Sequence, residues 1–340
     1  MTRTTSSHRP AALLEQARKL CEPTLRDTIF AMPEPLDRMA AYHFGWRDPS
    51  GNPTQAGWGK GLRAGLVLAA AAACGADPRA ALPGAAAVEL VHNFSLVHDD
   101  IMDGDRLRRG RATAWAVWGV PAALCLGDTL HAEAIRILVG ALPAVPAVDA
   151  VTRLEDAAAQ LCRGQCEDCS FETRPAVTVD QYVAMAAGKT AALIGCACAL
   201  GASCAAADAA TIDAFGTFGH ELGIAFQVTD DILGIWGDPD RTGKPVGNDV
   251  IRRKRSFPVV AALESATAAG AELAQLYRSA DPITPAQAAH AAKLIADAGG
   301  RRRAQQFADR RVAAALAALP DSAGTADLVA LTNFIAHRRL

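Results

Sequence analysis

Two acidic clusters limit the chemistry that this chain can do. Asp99, Asp100 and Asp103 lie in VHDDIMD, at the end of a stretch that is apolar nearly all round, and Asp230 and Asp231 lie in VTDDILG, in a similar setting. Asp99 and Asp103 are four residues apart, so on a helix they stack one turn apart on one face, with Asp100 beside them. Left unpaired next to Val97, Ile101 and Met102, such a cluster costs several kcal/mol or is forced to protonate, so a cation must meet it. Carboxylates at this spacing suit Mg²⁺, which takes hard oxygen ligands from Asp, water and substrate phosphate. Acidic residues at a helix end are often a solvated cap. The dipole disfavours them at a C-terminal end, however, and two clusters on two apolar helices are hard to explain as caps.

The counter-charge is present and local. Lys60 and Arg63 fall in GWGKGLR, Arg108 and Arg109 follow the first cluster, and Lys189, Lys244 and Lys254 lie on or beside later helices. Each alone reads as a surface charge; with the two aspartate clusters they describe a pocket for phosphate groups. If the two acidic helices face each other across a cavity, their carboxylates share metal ions around a diphosphate and activate it as a leaving group. The formal net charge of −2 supplies no global basic field, so nucleic acid is not an expected partner. His92 lies seven residues before Asp99, about 10.5 Å along the helix, and shares the acidic face, although a lone helical His is more often a core residue.

The elements that must position these residues are helices punctuated by Gly and Pro. The pattern predicts helices over residues 10–30, 60–75, 83–102, 121–140, 147–172, 179–205, 208–236, 254–268, 284–298, 300–318 and 324–337, with loops over 43–58 and 237–250. No strand alternation is convincing, so the expected fold class is all-α, in a single domain over residues 1–340 whose first ten or so are flexible. A composition of 51 % hydrophobic and 21 % charged residues is that of a globular protein. The N-terminus lacks a signal-peptide pattern and no uninterrupted apolar run reaches about 18 residues, so a cytoplasmic chain without stable membrane insertion is expected.

The nine cysteines are odd in number and irregular in spacing, unlike a disulfide framework. Cys162, Cys166 and Cys169 do match the C-x3-C-x2-C spacing of radical iron–sulfur enzymes. That chemistry needs three thiolates on an open loop, and the run from Asp149 to Glu172 is helical in character, so buried thiols are the preferred reading.

With these residues in view, the chain resembles the polyprenyl synthetase family, the head-to-tail isoprenyl diphosphate synthases of farnesyl and geranylgeranyl type. DDIMDGDRLRRG resembles the family's first aspartate-rich motif with its paired arginines, and FQVTDDILGIWGD, TGKPVGND and RRKRSFP resemble the second motif and its lysines. The likeness covers nearly the whole chain. It implies an isoprenoid synthase fold of ten or more helices around a central substrate cavity. It also implies that Lys60, Arg63, His92 and Arg109 hold the diphosphate of isopentenyl diphosphate, and that Arg108, Lys189, Thr190, Gln227, Lys244 and Lys254 serve the allylic diphosphate. Asp99, Asp103 and Asp230, with Asp100 and Asp231 beside them, are the implied ligands of Mg²⁺, three ions to a site, with Mn²⁺ as a substitute. Gln165 and Asp168 in GQCED match a further motif, which gives the cysteine region a second explanation. A homodimer is implied.

The expected reaction is ionisation of an allylic diphosphate (dimethylallyl, geranyl or farnesyl), capture of the cation by isopentenyl diphosphate, and loss of a proton, with the catalytic set Asp99, Asp103, Lys189, Thr190, Gln227 and Asp230. A growing tail that runs back along the 83–102 helix meets Phe94, five residues before Asp99, while Ser95 is small. In the resembling family an aromatic only at the more distant position goes with twenty carbons, so geranylgeranyl diphosphate is the expected product and farnesyl diphosphate the alternative. Two departures stand out: Gly234 replaces the carboxylate of DDILD, and Gly61 replaces the middle arginine of GKRLR. They feed the reading of a catalytically weak partner subunit. A class I terpene cyclase is disfavoured by DDILG, where an Asn/Ser/Glu motif would be needed.

Overall fold

The computed structural model describes residues 8–54, 56–237, 247–279, 281–321 and 324–336. They are all-α, as the sequence predicts; the sheet among them is a single ladder pairing Leu107–Arg108 with Arg111–Ala112. The chain divides into two compact units, one built from residues 1–159, 193–219 and 318–331, the other from 160–192, 220–317 and 332–340.

The first unit is organised about α4 (Leu82–Met102), which is flanked by α1 (His8–Phe30), α3 (Leu62–Ala73) and α6 (Val120–Ala141), with α2 (Leu36–His43) and the short α5 (Ala114–Trp118) beside α6. Pro83 opens α4 in the first turn, where a missing N–H costs nothing, and residues from Gly84 to Val91 are buried without exception. Burial on every side explains why its sequence shows no polar stripe. Glycine sets the packing distance to α6: a Cβ at Gly127 would stand 2.2 Å from His98 Nε2, so only a bare backbone admits that ring. Pro78–Met102 and Val179–Cys204 are long and apolar enough to cross a membrane, but 72 % of each apolar window is buried among the protein's own helices.

The second unit holds the end of α7 (Ala144–Phe171), α8 (Val179–Ala186), a π-helical turn (Ala187–Ala191) that leads into α9 (Ala192–Cys204), and most of α10 (Ala209–Trp236). It continues through α11 (Asn248–Ile251), α12 (Phe257–Leu263), α13 (Ala268–Arg278), α14 (Pro285–Asp297) and α15 (Gly300–Ala318), and ends in α16 (Ala326–Ala336), whose first residues belong to the other unit. Phe171, Tyr182, Met185, Val228, Ile232, Phe257 and Val260 form one core cluster; Ile235, Val259, Leu273, Leu294 and Ile295 form another.

Most predicted helices are present, with three differences. The segment predicted as one helix over 179–205 is broken by the π turn, and that predicted over 254–268 ends at Leu263. A separate helix follows from Ala268, capped by Thr267, whose hydroxyl accepts from Gly270 N–H at 3.1 Å. Helices α2 and α5 are short pieces that hydrophobic periodicity does not resolve.

Candidate active site

The C-terminal end of α4, in the first unit, carries one acidic cluster. Asp99 and Asp103 are half-buried and one turn apart, with Asp103 N–H donating to the Asp99 carbonyl at 2.8 Å. Asp100 points elsewhere. It is only 2 % exposed and accepts from Arg108 through Nε at 2.9 and 3.0 Å and through Nη2 at 2.7 Å. Burial pushes its carboxyl up, against the pull of Arg108, and this two-armed pairing holds Arg108 in one orientation. Arg109 and Gly110 are the central residues of the hairpin that pairs Arg108 with Arg111, and both have positive φ, +52° and +73°. That is a type I′ turn; Gly110 adopts it freely, whereas Arg109 does so under strain, as residues at functional sites often do.

The turn aims Arg109 at the GWGKG segment. Its guanidinium donates to the Trp58 carbonyl and lies 2.9 Å from where a Cβ on Gly59 would be, one residue before the exposed Lys60. Arg63, half-buried, sits in the first turn of α3, which is held to α4 by Ala64 N–H donating to Glu89 at 3.0 Å. Burial, then Arg63, Arg109 and Arg108, push the His92 imidazole well below its ordinary pKa, so it is a neutral group amid cations. A cavity of about 260 Å³ is lined by Tyr42, His43, Gly57, Arg108, Arg109 and Arg111. His43 and Arg111 were not singled out by sequence. The His43 ring bonds Asn93 Oδ1 at 3.1 Å, and burial with the nearby Arg109 and Arg108 pushes it down to about 3.

Further up α4, Phe94 is buried and stacks on His131 of α6 at 5.1 Å, with His98 edge-on at 4.9 Å. Ser95 is buried and donates to the His92 carbonyl at 2.8 Å.

The acidic pair of the second unit shows the same difference in burial. Asp230 is exposed, while Asp231 is 1 % exposed and accepts from Tyr182 Oη at 2.6 Å, Phe257 N–H at 2.8 Å and Gln227 Nε2 at 3.2 Å, with Lys254 Nζ 3.6 Å away. Burial would lower the Lys254 pKa, but Asp231, Asp249, Asp168 and Asp230 raise it and keep it charged. Thr190 donates to Gln227 Oε1 at 2.6 Å, and Lys189 pairs with Asp168. Burial works against the Asp168 carboxylate, yet Lys189, Lys254 and Arg252 hold it below its ordinary range.

Lys189 and Thr190 owe their placement to backbone contact. A Cβ on Gly164 would stand 2.2 Å from Lys189 N, and one on Gly223 would stand 2.5 Å from Ala191 Cα, so glycines of α7 and α10 hold the π turn from two sides. Such single turns recur at functional sites because they re-aim side chains. Gln165, next to Gly164, is buried; Cys162, Cys166 and Cys169 lie within the continuous helix α7 rather than on a loop, but they are not the buried thiols expected, since Cys162 and Cys166 are exposed and Cys169 is half-buried. Lys244 lies outside the described residues, as does Asp238.

The two glycine departures have structural explanations. A Cβ on Gly234 would fall 2.2 Å from Asp249 Oδ2, so the carboxylate of Asp249 takes the space that a side chain at 234 would fill. At Gly61, φ is +64° and a Cβ would meet Arg18 Cγ at 2.7 Å. Tyr182 and Asp249 escaped sequence reading; the one signal for Tyr182 was that a tyrosine in an apolar helix needs a partner for its hydroxyl.

Among the described residues no three His, Cys, Asp or Glu side chains cluster as a complete metal site. The carboxylates within each unit fit a hard cation that takes most of its ligands from water and phosphate, as Mg²⁺ does: with Asp100 held by Arg108, Asp99 and Asp103 are the candidate ligands of the first unit, and with Asp231 held by Tyr182 and Phe257, Asp230 is the candidate of the second.

The polyprenyl synthetase family model matches residues 50–295. A geranylgeranyl diphosphate synthase of Mycobacterium tuberculosis is 56 % identical over 96 % of this chain and 93 % of its own length. A (2E,6E)-farnesyl diphosphate synthase of Mycobacterium bovis is 40 % identical over 98 % and 94 %. The crystal structure of a polyprenyl synthetase from Streptomyces coelicolor superposes with a TM-score of 0.91 at 43 % identity, covering 95 % of this chain and 98 % of that one.

Proposed function

The chain belongs to the polyprenyl synthetase family and is a prenyltransferase, and from that premise we propose that it condenses isopentenyl diphosphate with allylic diphosphates to give geranylgeranyl diphosphate. The observation that carries the reading is the division within each aspartate pair: Asp100 and Asp231 are buried against protein donors, whereas Asp99 and Asp103 are half-buried and Asp230 is exposed. The greater likeness to the geranylgeranyl synthase than to the farnesyl synthase supports the C20 product, as does Phe94, whose ring is braced by His131 and His98 and cannot easily give way to a growing tail.

Lys60, Arg63, His92 and Arg109 take the diphosphate of isopentenyl diphosphate. Neutral His92 serves as a hydrogen-bonding group, and the arginines supply charge that cannot be lost by deprotonation. Lys189, Thr190, Gln227 and Lys254 take the allylic diphosphate. Lys189 and Lys254 stabilise charge that builds on the departing group, while Gln227 and Thr190 turn oxygen dipoles toward the carbon that becomes positive. Asp99 and Asp103 on the first unit, and Asp230 on the second, are the residues that would hold Mg²⁺, which would supply Lewis-acid stabilisation of the diphosphate. A cytoplasmic homodimer completes the reading.

Purified protein incubated with Mg²⁺, isopentenyl diphosphate and each of dimethylallyl, geranyl and farnesyl diphosphate, followed by mass analysis of the dephosphorylated products, tests it. A linear C20 alcohol is expected. A C15 end product would overturn the chain-length assignment, and no elongation from any starter would overturn the activity.

A further inference from the structure

Gly61 removes a positive charge from the segment that resembles GKRLR, and another element fills the place. The side chain of Arg18, on α1, crosses directly over Gly61: its Cγ and Cδ lie 2.7 and 3.6 Å from where a Cβ at 61 would stand. The left-handed φ of Gly61 and this overlap act together, since no side chain fits at 61 while Arg18 is there. Helix α1 can come so close because α3 carries Gly65 where it meets α1; a Cβ there would touch Leu14 at 3.0 Å.

From Gly61 the arginine continues toward the cationic cavity. Its guanidinium passes over the Trp58 ring at 5.8 Å, and its Nη2 lies 3.2 Å from the Cβ position of Gly57, a residue that lines the cavity with Arg108 and Arg109. Its Nε is buried without a hydrogen-bond partner. A buried donor of this kind is costly unless an acceptor arrives. The wall beside it is rich in arginine, so the acceptor that suits this place is an anion.

We propose that Arg18 is a further binding residue for the diphosphate of isopentenyl diphosphate, supplying from α1 the positive charge that residue 61 lacks. The assignment rests on the reading that this substrate binds at Lys60, Arg63 and Arg109. Charge and hydrogen-bonding geometry both belong to the guanidinium, whereas its stem only packs against Gly61 and Trp58.

Arg18→Met keeps the stem and removes the charge; Arg18→Lys keeps the charge and loses the fork. Steady-state rates with isopentenyl diphosphate varied at saturating allylic diphosphate, and the converse, are measured beside thermal melts. Arg18→Met is expected to raise KM for isopentenyl diphosphate on the order of tenfold, the usual worth of one charge-assisted hydrogen bond. KM for the allylic substrate and the melting temperature should stay near wild type, and Arg18→Lys should recover part of the loss. An unchanged KM for isopentenyl diphosphate in Arg18→Met, or an equal rise in both KM values, would overturn the role of Arg18 alone. Wild-type protein showing no saturable dependence on isopentenyl diphosphate would overturn that role together with the reading beneath it.

Discussion

Tyr182 donates its hydroxyl to Asp231 Oδ2 at 2.6 Å, and the same oxygen takes the N–H of Phe257 at 2.8 Å. One carboxylate thereby ties α8, α10 and the start of α12 together, with Lys254 close by. Asp231 is thus a structural member of a motif whose first residue, Asp230, is exposed.

The two aspartates should therefore respond differently to amidation. Asp231→Asn is expected to lower stability by about 2–4 kcal/mol, because it breaks a buried charge network. Asp230→Asn should leave the melting temperature in place and lower kcat on the order of 100-fold. Thermal melts and initial rates on the two variants check this; a stable, active Asp231→Asn protein would sink the division of roles.

Restoring an aspartate at 234 should harm this chain. The new Cβ would overlap the Asp249 carboxylate, which it would approach to 2.2 Å, and a second carboxylate would add charge repulsion. Gly234→Asp is expected to lose stability and activity, and Gly234→Asp combined with Asp249→Gly to recover much of both. The double-mutant cycle is read by melts and rates, with a coupling energy of at least about 1 kcal/mol expected for groups in contact.

Product length should follow Phe94 and its neighbour. Phe94→Ala removes a ring braced by His131 and should shift products beyond C20; Ser95→Phe should shift them to C15. Reversed-phase separation of the dephosphorylated alcohols gives the answer. Unchanged products in both variants would remove this stretch of α4 from length control.

Stability should fall on acidification below about pH 6.5. His43 has a folded-state pKa near 3, below its ordinary 6.5, so the unfolded chain binds the proton more readily. The stabilisation is complete above about 6.5 and is lost as pH falls toward 3, at up to about 1.4 kcal/mol per pH unit. His92, also held neutral by burial and nearby arginines, acts in the same direction. Melts between pH 8 and pH 5 on the wild type and on His43→Gln check this; the variant should show the shallower slope.

Apolar runs with Pro and Gly at their ends made most helices legible, since the 3.6-residue period and the end signals are local properties. Where a break depends on a neighbour, the sequence was silent. The π turn at Ala187–Ala191 is gripped by Gly164 and Gly223, which are distant in sequence. The end of α12 at Leu263 is different: the cap that follows it, Thr267 accepting from Gly270 N–H, is a local signal that the predicted helix over 254–268 ran through.

By itself the sequence determined which residue types could do the chemistry: paired aspartates on apolar helices, arginines and lysines in matching segments, and the helical class of the chain. Only the tertiary structure decided which member of each pair is buried against protein donors. Asp99 and Asp100 are adjacent and chemically identical, and so are Asp230 and Asp231. Adjacent helical residues point about 100° apart, so one of each pair turns onto donors that the helix itself does not supply, Arg108 from the hairpin that follows in one case and Tyr182 with Phe257 from segments distant in sequence in the other. The same holds for the glycines at 61 and 234, which read as losses in one dimension and are filled in three by Arg18 and Asp249.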